Sequence, residues 1–270
     1  MLAFGCKERV GWRSQAENFF GGFMLFHASL LLFAIFFFGS LELVVMFPEW
    51  FLILSLLFLG GVFRFSWRLG GTASSAIVPT LFSFSTVFLL FFVSSAREKH
   101  IFIFLSSLVF YMAALGIYRL RQYDGDLTAQ SMLSLVAMTT LFFLFSVFSG
   151  LFLNFQRFTE YMLMLSCGLS AFLVGLSIFL RSFRENRGKA MLCALILGLF
   201  AAQMAWIGTF WPFGYLTTGV LMLIFTSPLW EGVQAETTGG ISKKRLAIQV
   251  IFVLLLAAVV LSSAQWLQVV

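Results

Sequence analysis

The sequence predicts an all-α fold, a polytopic transmembrane helical bundle, from three observations. The apolar set AVILMFWYC makes up 61% of the 270 residues, charged residues make up only 10%, and mean hydropathy is +1.00. Soluble domains carry roughly 25% charged residues, and a water-facing core of this size cannot hide so much apolar surface. The apolar residues also fall in long runs divided by short polar connectors. Finally, Lys and Arg concentrate in alternate connectors, as membrane orientation requires. This pattern excludes a cytosolic enzyme, a secreted disulfide scaffold and a disordered tail.

A hydrocarbon layer of about 30 Å is crossed by roughly 17–25 apolar residues in helix. Nine runs meet that length or approach it: 19–41, 48–63, 75–95, 101–118, 131–153, 161–180, 190–210, 212–230 and 246–267. The first is too long for a signal-peptide core and lacks a small-residue cleavage site, so it is expected to be retained. Residues Leu2 to Cys6 have the look of a lipoprotein box, but no apolar stretch precedes them. The chain therefore divides into an N-terminal cytoplasmic tail, 1–18, and one transmembrane domain, 19–270. Proline lacks an amide proton and favours the first position of a helix. Pro48 and Pro212 are accordingly expected to open the second and eighth spans. The alternative at Trp211-Pro212 is one kinked helix with a re-entrant piece.

Alternating the connectors between two sides puts Arg97, Lys99 and Arg157 on one side and the other fourteen of the 17 Lys and Arg on the other. The positive-inside rule then places the N-terminus in the cytoplasm and the C-terminus outside. The net charge of +6 and pI near 9.6 reflect this orientation and not nucleic-acid binding. Trp50, Trp206, Trp211, Trp230 and Trp266 fall near predicted helix ends, where amphipathic rings sit at headgroup level. Trp12 and Trp67 lie in the cytoplasmic flanks. The longest connector, 231–245, carries Thr237-Thr238-Gly239-Gly240 and reads as a flexible turn.

Helices in lipid associate through close backbone approach. Cys167, Ala171 and Gly175 repeat every four residues on the sixth span; Ala190, Ala194, Gly198 and Ala202 do so on the seventh. These rows predict a tight antiparallel hairpin. Ser146, Gly150 and Asn154 form a similar row on the fifth span. Such faces serve bundle packing or a homodimer seam. The 37 phenylalanines are expected to face lipid or fill gaps between helices.

Few residues carry chemistry. His27 is the ionisable side chain set well inside a span, and such residues are functional candidates; a neutral imidazole bonded to a Ser or a carbonyl is the plainer alternative. Gln203 in the seventh span should hydrogen-bond another helix. Glu42, Glu49, Glu98, His100, Arg157 and Glu160 gather at the outer ends of spans, as a vestibule or as solvated end caps. Arg181, Arg184, Arg187 and Lys189 form a cytoplasmic cluster suited to anionic lipid headgroups, and Lys243, Lys244 and Arg245 read likewise. Gly168-Leu169-Ser170-Ala171 has only the serine portion of a rhomboid-protease pattern. Asp124-Gly125-Asp126 lacks the longer aspartate array of phosphatidyltransferases. No HExxH, cysteine pair or phosphate loop occurs, so no catalytic residue, metal ligand or cofactor is assigned, and Cys167 and Cys193 read as packing residues.

The stretch Phe210-Trp211-Pro212-Phe213-Gly214-Tyr215-Leu216-Thr217-Thr218, followed by Trp230-Glu231, a basic turn and a last span, resembles bacterial multi-spanning integral membrane families of unknown function. The resemblance implies a bacterial cytoplasmic membrane and no particular activity. The leading expectation is a non-enzymatic bundle that holds a lipid, a membrane-protein partner or a second copy. The alternatives are a small-solute transporter or channel with a site near His27 and Gln203, and a lipid-modifying enzyme using Glu98, His100 and Glu160.

Overall fold

The computed structural model describes residues 8–264 except 124, 184–185 and 238–242; the side chains of 8–26, 237 and 243–246 are also outside it. Cys6, Asp124, Arg184, the 238–240 turn and Trp266 therefore lie outside the described residues, as do the side chains of Trp12, Lys243, Lys244 and Arg245. The described chain is all-helical: α1 Glu8–Met46, α2 Phe51–Gly70, α3 Ser74–Phe92, α4 Ala96–Gln122, α5 Leu127–Asn154, α6 Glu160–Ser182, α7 Arg187–Gly208, α8 Tyr215–Thr237 and α9 Lys243–Ser263. Among the described residues, eight stretches are long and apolar enough to cross a membrane, from His27–Met46 in α1 to Tyr215–Glu236 in α8. The apolar part of α9, Ala247–Ser263, is shorter. The chain is thus a polytopic helical membrane bundle.

Several predicted boundaries move. The first helix begins at Glu8, not residue 19, and α2 runs to Gly70, not 63. The Arg-bearing flanks continue the helix because nothing in them breaks it. A left-handed Gly71, φ 74°, then ends α2. Pro48 does open its element, as the first residue of a 3-10 turn leading directly into α2. Pro212 does not open the eighth span. After α7, the amides of Thr209, Phe210 and Trp211 turn back onto the carbonyls of Trp206, Ile207 and Gly208, three residues behind each. Pro212 has no amide to continue that series, and α8 starts at Tyr215. The seventh and eighth spans are therefore two helices, and no re-entrant piece joins them.

The eighth span also runs past its expected end. Pro228 lies inside α8, and Ser227 Oγ donates to the Ile224 carbonyl at 2.9 Å, a bond that Pro228 cannot make. Trp230 is therefore no interface residue. It is 1% exposed, its ring centroid lies 5.3 Å from that of Phe179, and its indole donates to Ser134 Oγ.

Short connections make successive helices antiparallel. At one end of the bundle, Tyr215 on α8 donates to the Phe92 carbonyl at the end of α3, and His100 on α4 meets Glu42 near the end of α1. At the other end, Arg121 on α4 reaches the last carbonyls of α2, and Lys189 on α7 pairs with Glu236 on α8.

Two cores result. One joins α5 to α8 with parts of α3 and α4, and centres on Phe145, Phe179 and Trp230. Its tightest seam is between α6 and α7. A Cβ on Gly198 would lie 2.8 Å from the Gly168 carbonyl oxygen, and one on Gly168 would lie 3.0 Å from Ala202 Cβ. The Cys167, Ala171 and Gly175 row faces the Ala190, Ala194 and Gly198 row inside this seam, all buried; Ala202 is partly buried. In the fifth-span row Ser146 and Gly150 pack similarly, while Asn154 is exposed. A Cβ on Gly150 would lie 3.0 Å from the Phe92 ring, and one on Gly219 would strike the Ser146 side chain. The second core is aromatic: Phe37 on α1 lies 4.3 Å from Phe110, 5.1 Å from Phe58 and 6.2 Å from Phe82, centroid to centroid. Other phenylalanines, such as Phe36 and Phe104, face outward.

Candidate functional site

The bundle end that gathers the basic connectors holds a cleft of about 1520 Å³. Its rim is made by the α2–α3, α4–α5 and α6–α7 connections and by the end of α8. Each rim element is fixed by local chemistry. Asp126 caps α5, accepting from the amides of Thr128 and Ala129 at 3.0 and 3.2 Å. Arg119 Nε donates to its other oxygen at 2.8 Å. The Ala129 amide, and then Arg119, hold the Asp126 carboxyl below its ordinary range. Arg121 Nη1 donates to the carbonyls of Arg68 and Leu69, which close the α2 helix. Asn186 Oδ1 accepts from the Lys189 amide at 2.9 Å, which starts α7 at Arg187. The Lys189–Glu236 pair, 2.9 Å, ties α7 to α8. Gln249 on α9 donates to Glu231 at 2.8 Å.

Among the described residues, three arginines, Arg121, Arg181 and Arg187, line this rim with one carboxylate, Glu231. Arg187 is exposed and makes no ion pair among the described residues. Further in, the lining turns to neutral polar groups: Gln130, Ser131 and Ser134 on α5, with Trp230 and Gln234 on α8. Ser134 Oγ accepts from Trp230 Nε1 at 3.1 Å and from Gln234 Nε2 at 3.0 Å. Deeper still the walls are apolar, with Leu135, Met138 and Ile178. Met138 lies eleven residues beyond Leu127, about 16 Å along the helix axis. The cleft is thus cationic at its mouth and greasy at its base.

Of the predicted cytoplasmic cluster, Arg181 and Arg187 line the cleft, Lys189 is engaged with Glu236, and Arg184 is outside the described residues. Gln130, Ser134 and Gln234 were not singled out by the sequence, and Arg121 and Trp230 were read only as an orientation charge and an interface ring. A signal existed in the polar positions 130, 131 and 134, one helical turn of α5, and in 230 and 234, four apart on α8. Reading it required α8 to continue past Trp230.

The remaining candidates are dispersed. His27 Nδ1 and the Tyr111 hydroxyl lie 3.1 Å apart between α1 and α4, so a tyrosine is one of its partners. Gln203 is exposed on α7, in the other half of the bundle, on the same face as the exposed Leu199, Trp206 and Ile207. A shared His27–Gln203 site is not assembled. At the opposite end of the bundle, Glu42 and His100 pair at 2.8 Å. Glu98 lies near Tyr215 instead, and Glu49, Arg157 and Glu160 are exposed. No hydrogen bond joins Glu98, His100 and Glu160 among the described residues. Nor do three or more His, Cys, Asp or Glu side chains there form a group that could hold a metal.

No protein-family model matches the chain, and no curated protein or solved structure matches it.

Proposed function

We propose that this integral membrane protein is a lipid-binding bundle. The anionic headgroup of a bilayer phospholipid sits at Arg121, Arg181 and Arg187, and its chains run toward Leu135 and Met138. The observation that carries the reading is the convergence of three arginines, from three separate helices, on one cleft whose walls become apolar with depth. Guanidinium forks match phosphate oxygens in a bidentate way. The same end of the bundle carries most of the basic residues, which supports a cytoplasmic position for the cleft, where anionic headgroups attract basic protein surfaces. The location of this membrane in a bacterial cell is part of the proposal.

The test is native mass spectrometry of the full chain from a mild detergent, titrated with phosphatidylglycerol or phosphatidylcholine of equal chain length. Phosphatidylglycerol should bind with clear preference. Arg181→Ala combined with Arg187→Ala should reduce that preference at least tenfold, since charge-assisted bonds contribute roughly 1.5–3 kcal/mol each. Equal binding of the two lipids by the unaltered protein would reject the reading. Reporter fusions check the sidedness: within 231–245 they should report the cytoplasm, and after Val270 the outside.

A further inference from the structure

With the cleft taken as a lipid site, one of its side chains bears on which lipid it takes, and that choice stands only if the lipid-binding reading does. A serine hydroxyl has one hydrogen and two lone pairs. At Ser134 both lone pairs are engaged, by the indole N–H of Trp230 and the amide N–H of Gln234. Three other hydroxyls on α5 donate back to the carbonyl four residues behind, Ser131 to Leu127, Thr139 to Leu135 and Thr140 to Val136, whereas Ser146 and Ser149 do not. Ser134 makes no such bond, and its hydrogen finds no acceptor among the described residues. It lines the cleft. Two donors pulling on one oxygen also polarise its O–H, which strengthens it as a donor.

Depth identifies what that donor meets. Ser134 lies seven residues beyond Leu127, the first residue of α5, about 10 Å along the helix axis. The apolar wall of Leu135, Met138 and Ile178 continues from there. In a bilayer lipid, the groups between a charged headgroup and its hydrocarbon chains are the chain linkages. A diacyl lipid presents ester carbonyl oxygens at that level, which are good acceptors. A dialkyl lipid presents ether oxygens, which are poor ones.

We infer that Ser134 donates a hydrogen bond to an ester carbonyl, so that the cleft selects diacyl over dialkyl anionic phospholipid. The arginines would read the headgroup and Ser134 the linkage.

The experiment compares two probes on the full chain in mild detergent: diacyl phosphatidylglycerol and its dialkyl ether analogue, with the same headgroup and chain lengths, competed against each other and read by native mass spectrometry. The diacyl lipid should win by about fivefold, the worth of one neutral hydrogen bond. Ser134→Thr, which keeps the hydroxyl, should keep the preference, and Ser134→Ala should erase it. The comparison in the unaltered protein needs no variant, so a misfolded Ser134→Ala leaves the test decisive. Equal binding of the two probes, both tighter than phosphatidylcholine, overturns the ester inference and leaves the lipid site standing. Its physical meaning would be that the Gln234 amide is turned end for end, its oxygen taking the Ser134 hydrogen. If neither probe outbinds phosphatidylcholine, the lipid site itself fails and the ester inference fails with it.

Discussion

The α6–α7 hairpin and the aromatic lobe of α1, α2 and α4 solve the same problem in opposite ways. Lipid is as apolar as any helix face, so burial alone does not hold helices together. In the hairpin, glycine and alanine let two backbones touch: a Cβ on Gly198 would fall 2.8 Å from the Gly168 carbonyl oxygen, and one on Gly175 would fall 2.9 Å from Leu197. In the aromatic lobe the helices stand apart and rings fill the space, as in the stack of Phe37 on Phe110 and of Phe33 on Phe65 at 3.6 Å. Three of the glycines there do nothing of the kind. A Cβ added at Gly39, Gly60 or Gly61 would meet no atom within 4 Å. A glycine in a membrane helix is therefore no sign of close packing until its row is seen to face another row.

The largest expected effect breaks the hairpin. Gly198→Leu places a branched side chain against the Gly168 carbonyl and the Phe172 backbone, atoms that cannot yield as a side-chain tip can. The seam should open, and the protein should aggregate or elute as a broadened species in detergent gel filtration. The matched substitution Gly60→Leu, on the open face of α2, should leave melting and elution unchanged. Equal damage from the two would mean that the hairpin holds no special place in the bundle.

A smaller effect sharpens the other side of the comparison. Phe37 is 1% exposed and touches rings on three other helices. Phe37→Ala opens a cavity among them. In water such a change costs about 3–5 kcal/mol. In lipid the transfer part is largely absent, because the unfolded reference is itself apolar, and the lost packing remains. A loss of about 2 kcal/mol is expected, with Phe37→Leu recovering more than half of it, measured by reversible unfolding in mixed micelles. A loss as large as in water would show that this lobe is not lipid-embedded.

The same contrast explains what was legible in the sequence. The rows Cys167–Ala171–Gly175 and Ala190–Ala194–Gly198 could be read because a four-residue step of small side chains is a local pattern, and a short connector makes the two helices neighbours. The helical class was legible from run length and charge. The aromatic contacts were not, because 37 phenylalanines offer far more pairings than the fold uses. His27 stood out by its charge, but its partner Tyr111 lies 84 residues away and has no mark to distinguish it from the other aromatics. Gln203 misled because polarity does not tell which face of a helix a residue takes; its face is the outer one. The cleft was hidden by one boundary. With the eighth span ended at Trp230, that indole read as an interface ring, and Gln234 fell in a loop. Pro228 inside a helix is tolerated here because Ser227 supplies the missing donor to Ile224, and such local repair is not written in a hydropathy pattern. Arg121 and Arg181 were visible only as orientation charges, since convergence of three connections is a property of the folded bundle.

The smallest expected effect lies between the two regions, at the turn joining α4, from the aromatic lobe, to α5, from the hairpin side. Asp126 holds that turn by accepting from Ala129, Thr128 and Arg119. All three contacts favour the charged carboxylate, and its folded-state pKa is lowered. The stabilisation is therefore fully present above the ordinary carboxylate value. It is lost as pH falls through the lowered folded value, where the proton removes the acceptor charge that both the helix amides and Arg119 require. Asp126→Asn keeps an acceptor oxygen for the amides but discards the ion pair. It should flatten the acid limb of the melting profile and lower the neutral-pH melting point slightly, by the share of stability that the charged carboxylate supplied, which is small for a partly exposed pair. Asp126→Ala removes the cap as well, and should lower the melting point at every pH where the carboxylate is charged. An acid limb of the same steepness in all three proteins would show that the Asp126 cap carries none of the acid sensitivity, and the turn would then be a passive link between two independently held halves.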